Sequence, residues 1–121
     1  MSYIAPPSPD PQSAAHDPAQ AIARLGAVHD LVVELSGGAP QPALADIRWK
    51  DDPEALYARA PTLIQKRFDT LAVQTASFSA AGVAALIAVR GERTEAHRAA
   101  ADHLAAEMRR SIRAMAAMLA W

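Results

Sequence analysis

Asp69 and Arg90 bracket twenty consecutive residues, Thr70 to Val89, that carry no charged side chain. Such a run narrows the folds open to the chain. A helix that is apolar on every side has to be buried, in protein or in lipid. Twenty helical residues also reach about 30 Å, the thickness of a bilayer's hydrocarbon core.

Composition makes this run a helix. Thirty of the 121 residues are alanine, the strongest helix former, and aromatics are only 5%. β-branched residues never alternate with polar ones over a strand length, which argues against a sheet. Buried alanines remove little apolar area each, at roughly 25 cal/mol per Å². An alanine-rich core must therefore pack its helices closely or gain area by assembling. The fold expected is all-α: an up-down helical bundle of three long helices plus one short helix, homo-oligomeric.

Residues 1–16 read as a disordered Pro-rich tail, with Pro6, Pro7, Pro9 and Pro11 among polar residues. Residues 17–121 read as one helical domain. A first helix is expected from Pro18 to Ser36, capped by Asp17 and stopped by Gly37 and Gly38. Its apolar stripe is Ile22, Leu25, Val28, Val32 and Leu35. In the connector, Leu44, Ile47 and Trp49 are apolar contacts, and Trp49 reads as a lid on the core. Asp52 and Pro53 begin a short helix to Ala60 that turns Leu56 and Tyr57 inward.

The third helix is expected over Thr62–Arg90. Its seam is Ile64, Phe68, Leu71, Thr75, Phe78, Gly82, Leu86 and Val89, spaced by threes and fours. Gly82 on that seam would let a neighbour approach closely. A second apolar face, Val73, Ala76, Ala80, Val83, Ala84 and Ile87, implies that the helix is covered all round. The fourth helix starts at Glu95 behind Thr94 as N-cap. Its seam is His97, Ala101, Leu104, Met108, Ile112, Met115 and Leu119, with Arg98, Asp102, Arg109 and Arg113 on a wet face.

Two environments suit the neutral run. A membrane span over 70–89 fits its length, and Lys66 and Arg67 flank one end as Arg90 and Arg93 flank the other. Against a span, Gln74, Thr75, Ser77 and Ser79 make the first half polar, no Trp or Tyr anchors either boundary, and the flanking charges balance. A central helix buried in protein is the preferred reading.

Signals for chemistry are weak. The chain has no cysteine, which excludes disulfides and thiolate metal sites and fits a reducing cytoplasm. The first residues lack the basic start and apolar run of a secretory signal. His29 borders one apolar face and His97 sits on another, so the two could meet and hold a metal. No Glu-x-x-His or His-Glu-x-x-His pattern supports that. The pairs Arg24/His29 and Arg98/His103 match a spacing used by some RNA-cleaving helical domains, at a rate expected by chance. Arg109, Arg110 and Arg113 form a basic cluster that could clamp phosphates, but acids lie nearby and no aromatic is interleaved. Net charge is −1, so nothing global attracts nucleic acid.

The reading is a non-catalytic interaction or assembly module acting through helix–helix surfaces, without a cofactor. Its partner is a second copy or another helical protein. The alternatives are a single-span or membrane-associated protein and a nucleic-acid-binding regulator. The residues assigned to partner binding are Val73, Ala76, Ala80, Val83, Ala84 and Ile87 on the third helix. At the far end of the fourth helix they are Met115, Met118 and Trp121, since Met and Trp favour binding surfaces.

Overall fold

The computed structural model describes residues 18–38, 47–88 and 94–119. The Pro-rich tail, the Asp17 cap, Leu44, Val89, the flanking Arg90 and Arg93, and Trp121 lie outside the described residues. Those described are 88% helical, with no strand among them. The elements are α1 (Pro18–Ser36), α2 (Pro53–Arg59), α3 (Thr62–Ala88) and α4 (Glu95–Leu119).

Local chemistry sets the helix ends. Gly37 takes φ 81°, which a glycine adopts without strain. Its N–H donates to the Glu34 carbonyl at 3.0 Å, and the Gly38 N–H donates to Val33 at 3.2 Å. This paired return satisfies the last carbonyls of α1. At the start of α4 the His97 N–H donates to Thr94 Oγ1 at 3.1 Å, as expected of the cap. Asp52 differs from expectation. Its side chain makes no capping bond to α2, and its own N–H donates to Asp51 Oδ1 at 2.8 Å. Ala60 stays extended ahead of Pro61, which ends α2, and Pro61's carbonyl accepts the first α3 bond from Gln65 at 3.0 Å.

The core forms two clusters strung along α4. In the first, Ile22 and Leu25 meet Leu56, Tyr57, Phe68, Ile112, Met115 and Leu119, with Ile47 and Trp49 packed over them. Trp49 thus lies against the core as a half-buried lid. In the second, Val32, Val33 and Leu35 meet Leu86, Ala101, Ala105 and Met108. The start of α1 therefore lies beside the start of α3 and the end of α4, and the reverse holds at the other pole. Hence α1 and α3 are parallel to each other and α4 is antiparallel to both. Consecutive long helices alternate at α3–α4 but not at α1–α3, where the chain between them holds the extra helix α2.

α4 is the hub, because its seam from His97 to Leu119 is buried against both neighbours. Burying a side chain such as Phe68, which is 0% exposed, contributes about 1.5–3 kcal/mol. Gly82 faces Leu104 so closely that an added Cβ would lie 2.6 Å from its Cδ2. The glycine sets how near α3 and α4 approach.

The expectation that α3 is covered all round is not met. Its buried residues are Phe68, Ala72, Thr75, Ser79 and Leu86, while Val73 and Ile87 are 52% and 62% exposed. Two neighbours, α1 and α4, cover only part of a helix's circumference. Covering the rest takes a further helix that this chain does not supply among its described residues.

Candidate functional site

The buried side of α3 holds two of its hydroxyls, Thr75 and Ser79. Thr75 Oγ1 donates to the Leu71 carbonyl at 2.7 Å and Ser79 Oγ to Ala76 at 3.1 Å, so both are satisfied within the helix. Burying them therefore leaves no lone polar group. The outward side holds Val73, Ala76, Ala80, Ala84 and Ile87, all exposed. Val73 and Ile87 have thus exchanged with Thr75 and Ser79 the places such side chains usually take.

Beside that face lies a shallow groove of about 500 Å³ between α1 and α3. Leu25, Val28 and Leu31 form one wall, and Ala80, Val83 and Ile87 form much of the other. Arg24 also lines it. Of the residues assigned to partner binding, Ala76, Ala80, Val83, Ala84 and Ile87 line this groove, and Val73 lies on the same exposed side of α3. The α1 wall was missed from sequence. Leu31, 42% exposed, sits just off the buried stripe beside Val32, and its one signal was being apolar out of phase.

The fourth-helix assignment divides. Met115 is 0% exposed and belongs to the core with Ile112 and Leu119, so it is corrected from a surface contact to a packing residue. Met118 is half-buried and lines a second hollow of about 300 Å³ with Lys66, Arg67 and Gln74.

The histidines do not share a site. His29 is fully buried and bonds Arg109, whereas His97 Nε2 donates to the Leu86 carbonyl at 2.9 Å. Residues 97 and 109 stand about 18 Å apart along α4 at 1.5 Å per residue. The His97 bond holds a carbonyl near the end of α3, where intrahelical donors run out. Its Nδ1 is buried without a partner. No group of three His, Asp or Glu side chains converges among the described residues.

One member of the basic cluster is drawn inward, and Arg110 and Arg113 stay exposed. Arg109, expected on the wet face, is half-buried and donates to His29 Nε2 at 3.0 Å. Arg110 lies 4.0 Å from Glu107, which also holds His103 at 3.3 Å. Arg24 of the Arg24/His29 pair lines the groove, while His29 faces α4.

Among the described residues one helix, Thr62–Ala88, is long and apolar enough to cross a membrane by length and composition, and its most apolar 18-residue stretch has mean hydropathy 1.6 and is 22% buried. No protein family, no curated protein and no solved structure matches this chain.

Proposed function

We propose that the chain is a non-catalytic helical assembly module that docks a helix on the exposed face of α3 and the groove beside α1. The observation that carries this reading is the inverted burial of α3. Thr75 and Ser79 are 0% and 2% exposed, while Val73 and Ile87 are more than half exposed. A surface that leaves large apolar side chains in water and hides hydroxyls is the surface of a part awaiting cover.

Protein supports that cover better than lipid does. α4 packs along α3 from Leu86 to Phe68, and its outer side exposes Arg98, Asp102, His103, Arg110 and Arg113. A bilayer that took in α3 would take in those charges too, at about 2.5–3.5 kcal/mol for each Arg or Asp near the centre. A reducing, aqueous compartment such as the cytoplasm suits this module.

The test is light scattering combined with binding of anilinonaphthalene sulfonate, a dye for apolar surface. The native chain should form a complex larger than a monomer. The Val73→Glu/Ile87→Glu variant, changed at two exposed apolar residues of α3, should be a folded monomer, its helix content unchanged by circular dichroism. A native chain that is strictly monomeric and binds no dye would defeat the proposal.

A further inference from the structure

The docking reading above leaves the occupant open. We infer, resting on that reading, that it is α3 of a second copy, packed antiparallel about a two-fold axis passing beside Ala80.

The centre line of the exposed face is symmetric in size about Ala80, while at its edge Val83 is mirrored by the smaller Ser77. Val73 and Ile87 lie seven residues to either side, Ala76 and Ala84 four to either side, and all five are exposed. A two-fold axis there sets Val73 against the partner's Ile87, Ala76 against Ala84 and Ala80 against itself. Large meets large at the ends and small meets small in the middle, so the helix axes can approach to the lower end of the ~8–10 Å packing range. An isologous contact of this kind closes at two copies.

Charge favours the same occupant. A patch that packs on itself opposes each charge with its own kind near the axis, which costs affinity. From Thr70 to Ala88 α3 carries no charge, so the α3–α3 contact meets no such penalty, and Arg24 is the one charged side chain that lines the groove beside it. The outer side of α4, with charges at 98, 102, 107, 110 and 113, has no such neutral run.

The area suffices. The neutral face runs about 27 Å along α3 at 1.5 Å per residue, and with the α1 wall it is about two helices, or 20 Å, across. Two such faces bury on the order of 1,000 Å², the lower threshold for a specific interface and the size of a weak, reversible dimer.

Because the chain has no cysteine, single-cysteine variants of the full chain report the register directly. Light scattering on the native chain should give twice the monomer mass. Under mild oxidation Ala80→Cys should form a disulfide dimer. Val73→Cys mixed with Ile87→Cys should give the mixed dimer, at least tenfold above either variant alone and above an Ala99→Cys control on the outside of α4. Self-linking of Val73→Cys at the mixed-pair level would show a parallel register and overturn the inference. A monomer that binds the dye strongly would overturn self-pairing while leaving groove docking in place; one that binds none would overturn both. Uptake by phosphatidylcholine vesicles in place of dimer formation would also overturn it.

Discussion

Arg109 Nη1 donates to His29 Nε2 across 3.0 Å, tying α4 to α1 over eighty positions of sequence. An accepting Nε2 places the ring proton on Nδ1, which faces Asp30 Oδ1 at 3.1 Å. His29 thereby bridges a guanidinium at Nε2 and a carboxylate at Nδ1. The His29 side chain is 0% exposed and Asp30 is 41% exposed, so the bonded chain runs from the surface into the core.

Replacing Arg109 with Leu strands Nε2 in the interior. The expected loss is about 1–3 kcal/mol, the cost of leaving a buried polar atom unmade. Removing both partners, as His29→Leu/Arg109→Leu, should cost less than the two single changes added together. Urea unfolding of the four proteins measures the coupling. Strict additivity would mean that the pair contributes nothing as a pair.

Gly82→Ala sets two effects against each other. Alanine gains about 0.5–1 kcal/mol over glycine inside a helix. Its methyl would also lie 2.6 Å and 3.1 Å from the two Leu104 methyls, which must then shift. What must move is the far end of one half-buried leucine, so the clash offsets that gain only in part, and the substitution should stabilise the native chain by less than about 0.5 kcal/mol. In a Leu104→Ala background the clash is gone and the same change should stabilise more. An equal gain in the two backgrounds would show that α3 and α4 are spaced by something other than this contact.

Tyr57 joins α2 to α3. Its hydroxyl donates to both oxygens of Asp69 at 2.9 Å, and its ring meets Phe68 edge-on at 5.7 Å. Burial, then the hydrogen bond to Asp69, then that carboxylate's charge push its pKa up to about 12 from an ordinary 10.0. The folded state therefore keeps the proton after the unfolded chain has lost it. Its contribution to stability is whole below about pH 10 and disappears as pH rises through about 12. Relative to Tyr57→Phe, the native chain should be more stable at pH 8 and lose that advantage across this window. A stability difference that stays constant through pH 12 would show that the hydroxyl is not the group responsible.

Much of the fold was legible because it is written in local chemistry. Gly37 and Gly38 end α1 whatever surrounds them, and Thr94 caps α4 with an oxygen three residues from the N–H it accepts. The α4 seam from His97 to Leu119 repeats at helical spacing and is buried as that spacing requires. The end-on pairings were not legible. Nothing near Arg109 in sequence reveals that its guanidinium reaches His29, and nothing near Asp52 reveals that its side chain leaves α2 uncapped.

The sequence by itself determined that this chain is helical, where its helices break, and that α3 is neutral from Thr70 onward, because propensity, capping and charge act within a few residues. Only the tertiary structure decided which side of that neutral helix is left open. Val73 and Ser79 belong to the same uncharged run, and which of them meets water depends on where α1 and α4 come to rest, a matter of long-range packing that no local pattern encodes.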